Sequence, residues 1–214
     1  MTDKPKILIT GFSAFPGAPE NPTQVLVSLF KQNTSQISAK VEIEAVLLPT
    51  EYAYIDAEFS ALMSKINPDI ALHFGLNQQA TGFTLEQTAR NICNVERMDI
   101  AGATPKLPEI DAQGPTTLTS SLPLAQIHKA LQQDGLPVEM SDDAGGYVCN
   151  YLFYRALQLA RSSKCAMTGF IHVPLLSMQT GDNKLATLTQ DQLWAGALSC
   201  VEVCAKDWKV QVLS

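Results

Sequence analysis

The chain has 214 residues, of which 46% are hydrophobic and 17% are charged, a composition typical of a globular protein. Fifteen lysines and arginines against 21 acidic residues give a net charge of −6, which argues against a nucleic-acid partner. No apolar run approaches the roughly 18 residues of a membrane-spanning helix, so no membrane partner is expected. The five cysteines form no Cys-x-x-Cys pair, and without an apparent export signal we expect free thiols in a cytoplasmic protein.

The hydrophobic pattern predicts strands and helices that alternate along the chain. Strands are predicted at residues 6–12, 41–48, 70–74, 83–89, 138–140 and 166–172, and helices at 23–31, 50–66, 123–133, 147–163 and 189–205. This alternation indicates an α/β fold, in which a mostly parallel twisted sheet lies between helices on both faces, as a three-layer sandwich. With no repeat and no shift in composition, we predict a single domain over residues 1–214, with residues 101–121 as a long surface excursion.

One cysteine lies where a nucleophile would be activated. Residues 141–150 lead from a predicted strand through two glycines to Cys149, in the first turn of a predicted helix. The free N–H groups of a helix N-terminus favour the thiolate and could hold a developing oxyanion. The negative charges of Asp142 and Asp143 would disfavour a thiolate at Cys149 unless these side chains point away from it. A small buried cysteine without reactivity is the alternative.

A histidine and a glutamate could complete a catalytic group. His172 ends the apolar strand at 166–172, so it is expected at the mouth of the sheet, where Cys149 from the preceding unit could meet it. Glu86 is the only charged residue between positions 75 and 89, and a buried carboxylate needs a partner such as an imidazolium. A core histidine and an outward-facing glutamate are the alternatives. For His73, inside an apolar strand, we expect a core position.

Four blocks of the sequence resemble the pyroglutamyl peptidase I family of cysteine peptidases. They are residues 10–17 followed by Asn21 and Pro22, residues 85–86, residues 144–150 (Ala-Gly-Gly-Tyr-Val-Cys-Asn), and residues 169–174 (Gly-Phe-Ile-His-Val-Pro). The resemblance implies Cys149 as nucleophile, His172 as general base and then acid, and Glu86 as the group that orients His172. It also implies removal of an N-terminal pyroglutamyl residue from peptides through a thioester acyl-enzyme, without a cofactor or metal, and a homo-oligomer, either a dimer or a tetramer.

The resemblance also implies a substrate pocket. In the family the pyrrolidone ring lies against aromatic side chains, here Phe12 and Phe15, and Asn21 and Leu76 are further candidate binding residues. Apolar walls suit a flat, neutral lactam. Ordinary packing at the end of a strand is the alternative for the two phenylalanines.

The chain departs from the family pattern at several positions. Leu76 and Ala80 stand where family members usually have glutamine and arginine in a loop that lines the pocket. A family arginine after the glutamate is matched by Arg97 if one residue is inserted, with Arg90 as its rival. Arg97 is therefore the candidate for supporting the oxyanion.

Two other functions remain open from the sequence. The changed residues Leu76 and Ala80 allow a related cysteine hydrolase that accepts another small acyl group or cyclic amide. The same changes, with Asp142 and Asp143 close to the cysteine, allow a ligand-binding relative without catalysis. Cys200 and Cys204 are four residues apart on one predicted helix, but no complete zinc ligand set accompanies them, so no metal is predicted.

Overall fold

A six-stranded sheet forms the centre of the protein, of which the computed structural model describes residues 4–15, 18–37, 40–177 and 187–213. The strands are β1 (Lys6–Phe12), β2 (Glu42–Leu48), β3 (Ile70–Leu76), β4 (Phe83–Glu86), β5 (Thr88–Arg90), β6 (Thr117–Thr119), β7 (Val138–Ser141) and β8 (Met167–Val173). The helices are α1 (Pro22–Gln32), α2 (Thr34–Ile37), α3 (Tyr52–Ala57), α4 (Phe59–Ile66), α5 (Leu124–Gln133), α6 (Val148–Ala160) and α7 (Gln190–Leu213).

The sheet is mostly parallel, as the alternating pattern predicts. Its strand order is β2-β1-β3-β8-β4-β7, and every neighbouring pair is parallel except β8 and β4. The apolar runs of β1, β3 and β8 are buried because helices cover both faces of these central strands. The predicted fold class is therefore confirmed.

Within the described ranges, no helix combines the length and the apolar character needed to cross a membrane.

Alternate side chains of each strand point to opposite faces, which divides the core into two clusters. One cluster combines strand residues such as Ile7 and Ile9 with apolar residues of α1, α5 and α7. The other combines Leu8, Phe12 and Phe170 with residues of α3, α4 and α6. Three layers result, as expected from the sequence.

Two predicted elements are interrupted in the structure. The helix expected over residues 50–66 is divided into α3 and α4 around Glu58, and Glu51 occupies the N-cap position of α3. The strand expected over residues 83–89 breaks at Gln87, whose N–H donates to Ser141 while its carbonyl accepts from Ser120. Beyond that residue the chain leaves the main sheet, and β5 pairs antiparallel with β6.

His73 is the expected core histidine. It lies on β3 with no exposed surface, and its ring nitrogens are hydrogen-bonded to two threonines, Nδ1 to Thr10 Oγ1 at 2.7 Å and Nε2 to Thr168 Oγ1 at 3.2 Å. Burial lowers the pKa of His73 from 6.5 to about 3, because the apolar surroundings disfavour the charged imidazolium. The folded protein therefore holds this ring neutral at ordinary pH.

The neutral state of His73 predicts a loss of stability in mild acid. Below pH 6.5 the unfolded chain takes up a proton that the folded chain refuses until about pH 3. Between pH 8 and pH 5 the free energy of unfolding of the wild type should therefore fall by about 2 kcal/mol more than that of His73→Gln. Denaturant titration at both pH values measures this difference. The contributions of all other titratable groups cancel, because the two proteins share those groups. An equal fall in the two proteins would contradict the assignment.

Candidate active site

Glu86 and His172 form a buried pair between β4 and β8. Glu86 Oε1 lies 2.7 Å from His172 Nδ1, and the residues are 1% and 5% exposed. The antiparallel register sets Thr84 opposite His172 and Glu86 opposite Phe170, so Glu86 lies diagonally across from His172 on the same face. The outward-facing glutamate considered from the sequence is therefore excluded.

The environment of His172 favours its charged form. Burial by itself lowers the pKa of the imidazole, but hydrogen bonding to the side chains of Cys149 and Glu86, together with their negative charge, outweighs burial and raises it to about 9. At neutral pH the ring is then an imidazolium. Because Nδ1 faces Glu86, Nε2 is the nitrogen left for Cys149. The other carboxylate oxygen, Glu86 Oε2, is buried and receives no hydrogen bond from any described group.

Cys149 is the second residue of α6 and lies on the same face of the sheet. It is half-buried, whereas the other four cysteines are buried. The N-cap residue, Tyr147, has extended backbone angles and its side chain does not cap the helix. The N–H groups in the first turn of α6 therefore remain oriented towards the space in front of the helix, where they stabilise negative charge.

Gly75 allows Cys149 to approach the sheet closely. It lies opposite His172 in the pairing of β3 with β8. A methyl group at this position would lie 3.0 Å from Cys149 Sγ and 2.6 Å from the Phe170 ring, and that ring is 4.9 Å from the His172 ring, centroid to centroid. Glycine is therefore required at the point where β3, β8 and the start of α6 meet.

The two aspartates before α6 are held by other partners. Asp142 accepts a hydrogen bond from Thr88 Oγ1 at 3.1 Å. Asp143 forms an exposed ion pair with Arg90, at 2.8 Å between Oδ2 and Nη1. The turn that follows uses Gly145 at φ +80°, a left-handed conformation that favours glycine. The objection that these carboxylates oppose a thiolate is weakened, because both are directed to partners on β5.

The two candidate arginines have different surroundings. Arg97 places its guanidinium carbon 3.8 Å from the centre of the Tyr147 ring, and Tyr147 donates its hydroxyl to Met98 O. Burial raises the pKa of Tyr147; Arg97 opposes this rise, and the charges of Asp99 and, more weakly, Cys149 add to it. Tyr147 precedes Cys149 by two residues in the chain. Arg90 is engaged with Asp143 instead. This contrast favours Arg97 over Arg90, and its role in supporting an oxyanion remains a prediction.

The predicted pocket residues lie at the ends of β1 and β3. Phe12 is 2% exposed and belongs to the core, whereas Phe15 is partly exposed and is joined to Ala18 by two backbone hydrogen bonds. Asn21 caps α1, since its Oδ1 accepts from Thr23 N and its Nδ2 donates to Ser13 O. Leu76 is partly exposed at the end of β3. Binding roles for these four residues remain predictions, and Pro16, Gly17 and residues 178–186 lie outside the described residues.

Sequence reasoning does not predict two residues of the site. Gly75 directly follows an apolar strand run, where a glycine signals close approach of another segment. Asn150 belongs to the sequence block of residues 144–150, and the structure shows that it is completely buried. Among the described residues, no group of three or more histidine, cysteine or acidic side chains is arranged so that it could hold a metal ion, and Cys200 and Cys204 pack in the core.

Comparison with known proteins gives consistent matches over nearly the whole chain. The model of the pyroglutamyl peptidase family matches residues 5–207. A pyrrolidone-carboxylate peptidase of Vibrio vulnificus is 34% identical over 200 residues, which cover 93% of this chain and 92% of that protein. One from Oceanobacillus iheyensis is 31% identical over 198 residues, covering 92% of this chain and 97% of that protein.

Solved structures also match this fold. Pyroglutamyl peptidase I from Bacillus amyloliquefaciens superposes with a TM-score of 0.85 at 27% identity, covering 95% of this chain and 98% of that one. Pyrrolidone carboxyl peptidase from Thermococcus litoralis superposes with a TM-score of 0.87 at 26% identity, covering 97% and 96%.

The burial of the cysteines predicts selective labelling of the native protein. Among the five free thiols, only that of Cys149 is not buried, and buried thiols are inert to alkylation. Iodoacetamide should therefore add one equivalent to the native protein and five to the denatured protein, as measured by mass spectrometry. Native Cys149→Ser should take up none, and a second rapidly labelled thiol would contradict the burial pattern.

Proposed function

Because the chain belongs to the pyroglutamyl peptidase family, we propose that it is a cysteine peptidase that removes the N-terminal pyroglutamyl residue from peptides. The observation that carries this proposal is the connected group of Cys149, His172 and Glu86, in which a half-exposed thiol at a helix N-terminus interacts with a buried, carboxylate-bound imidazole. A nucleophile, a proton carrier and a group that orients the carrier are what acyl transfer requires.

In the first half of the reaction the peptide bond is broken. The Cys149 thiolate attacks the carbonyl carbon of the pyroglutamyl residue, and the N–H groups at the start of α6 stabilise the resulting oxyanion. His172 then donates the proton on Nε2 to the departing amine as the C–N bond breaks. The products are the shortened peptide with a free amino group and a thioester between Cys149 and the pyroglutamyl group.

In the second half water releases the acyl group. His172, now neutral, takes a proton from water as the oxygen attacks the thioester carbon. The C–S bond breaks, pyroglutamate leaves, and the thiolate–imidazolium pair is restored. Glu86 keeps the Nδ1–H bond throughout, so Nε2 always faces the reacting atoms. Glu86 therefore acts by positioning His172 and stabilising its positive charge.

For the pocket, we propose that Phe15 and Leu76 contribute apolar surface for the pyrrolidone ring and that Arg97 supports the oxyanion from the side of Tyr147. The partial exposure of Phe15 and Leu76 supports this, as does the contact of Arg97 with the ring of Tyr147, two residues before Cys149 in the chain. The buried positions of Phe12 and Asn21 support a part in shaping the loop between β1 and α1.

The proposal includes a cytoplasmic location and a homo-oligomeric state, dimer or tetramer. Five unpaired cysteines are typical of a reducing compartment. The exposed side chains of Val210 and Val212 on α7 are the kind of apolar surface that a subunit contact covers. The two alternative functions are not favoured, because the relatives above are named as peptidases acting on pyrrolidone carboxylate or pyroglutamyl groups.

The direct test is hydrolysis of a pyroglutamyl chromogenic amide. Cys149→Ser and His172→Ala should each lower kcat/KM by roughly a thousandfold or more, because each removes an essential part of one unit. Cys93→Ser is the control, since Cys93 is buried and bonded to the carbonyl of Leu107, and its activity should stay near that of the wild type. Cys149→Ser activity within about tenfold of the wild type would remove Cys149 from the mechanism.

A second test concerns the pH dependence set by Glu86. His172 must be protonated to release the amine, so kcat/KM of the wild type should fall above the imidazole pKa of about 9. Glu86→Gln keeps a hydrogen bond but removes the charge that raises this pKa. The alkaline fall should therefore move to lower pH, with activity between those of the wild type and Cys149→Ser. Coincident alkaline limbs in profiles from pH 5 to 10 would show that Glu86 does not tune His172.

A further inference from the structure

Asn150, the residue after Cys149, is bonded to the backbone that follows Glu86. It is the third residue of α6 and has no exposed surface. Its Oδ1 accepts from Arg90 N at 2.9 Å, and its Nδ2 donates to Arg90 O at 2.8 Å and to Ile92 O at 2.9 Å. Both N–H groups of the amide and one oxygen lone pair are thus used within the protein.

These bonds join two segments that the sheet does not hold together. Glu86 ends β4, but the chain leaves the six-stranded sheet at Gln87, and β5 pairs only with β6 among the described strands. The hydrogen bonds of the six-stranded sheet therefore do not fix the position of β5 relative to α6. The side chain of Asn150 makes this connection. Asn150 directly follows Cys149 in the chain, and its partner Arg90 lies four residues after Glu86.

Other contacts join the same segments. Asn94 N donates to Gly146 O at 2.8 Å, Thr88 Oγ1 donates to Asp142 Oδ1 at 3.1 Å on the exposed surface, and Arg90 forms its ion pair with Asp143. The ion pair is exposed on both sides, so solvent screens it and it holds the segments weakly. The Asn150 amide is buried, where hydrogen bonds are stronger and more directional.

We propose that Asn150 is a positioning residue, whose amide fixes the start of α6, and with it Cys149, relative to the Glu86–His172 pair. This inference rests on the proposed function, because it assigns Asn150 to the same reaction. A displacement of about 1 Å at a reacting atom can cost on the order of a hundredfold in rate. Three hydrogen bonds from the residue next to the nucleophile resist such a displacement.

The chain contains a matched control in Asn91. This residue is 7% exposed, its Oδ1 accepts from Asp111 N at 2.9 Å, and its Nδ2 donates to Asp111 O and Gly114 O. It therefore makes the same three kinds of bond as Asn150 and is adjacent to Arg90 in the chain. Its partners belong to the surface excursion, however, and not to the nucleophile helix.

The experiment compares Asn150→Ala with Asn91→Ala in the full chain. Unfolding temperature, kcat and KM on a pyroglutamyl chromogenic amide, and the rate of Cys149 alkylation by iodoacetamide from pH 5 to 10 are measured for each. Both variants should unfold at lower temperature, because each loses three buried hydrogen bonds. Only Asn150→Ala should lose kcat, by about a hundredfold, with KM changed less than about threefold because the ground-state contacts of the substrate remain.

Alkylation separates positioning from general destabilisation. When Cys149 moves away from His172, the sulfur loses the imidazole that it is hydrogen-bonded to, so alkylation between pH 5 and pH 10 should be slower in Asn150→Ala than in the wild type. In Asn91→Ala the rates should match the wild type. If Asn150→Ala does not fold, Asn150→Asp, which has nearly the same shape but replaces the two N–H donors by a carboxyl oxygen, should show the same loss of kcat and the same slower alkylation.

The inference is overturned if the Asn150 variant that folds keeps wild-type kcat and alkylation, or if Asn91→Ala shows the same losses. Failure of the proposed function has a different signature. A wild-type protein that hydrolyses no pyroglutamyl amide would refute that function, whereas the alkylation comparison would still report whether Asn150 positions the thiol next to His172.

Discussion

The hydrogen bond between Glu86 and His172 is the constraint on which the site depends. Two ionisable side chains are almost completely buried there, and burial of either alone would be costly. They offset that cost only when β4 lies antiparallel to β8 in one register, with Thr84 opposite His172. A shift of one residue would move Glu86 to the other face of the sheet. The single antiparallel pair in the main sheet is therefore a requirement of the site.

The position of Cys149 follows from packing around the same strand. Phe153 of α6 contacts Phe170 of β8, with ring centroids 5.9 Å apart, and Phe170 in turn contacts His172. These rings set the distance of α6 from the sheet, while Gly75 on β3 leaves the space that Cys149 needs. Core packing thus brings the start of the helix to the imidazole, and polar contacts of the first turn fix its final orientation.

The parts that sequence predicted well are those determined by local pattern. The apolar run of β1 has the predicted bounds, and the turn before α6 places Cys149 in the first turn of a helix. The break at Gln87 was not predictable, because its backbone partners Ser141 and Ser120 are far away in the chain. Alternation along β4 also could not tell which face carries Glu86, since that depends on pairing with β8. The hydrogen bonds from Asn150 to Arg90 and Ile92 could not be predicted for the same reason, because these partners are also far away in the chain.

The loop after β3, where this chain departs from the family pattern, is held separately from the Glu86–His172 pair. Its bonds are mostly local: Asn77 Oδ1 accepts from Gln79 N, Asn77 O accepts from Ala80 N, and Asn77 N donates to Val173 O. Ala80 is buried within this turn, a position that suits a methyl group and not a guanidinium. The Glu86–His172 pair is held by strand register and shares none of these bonds. Side chains of this loop can therefore differ from the family pattern without disturbing the strand register that holds Glu86 against His172.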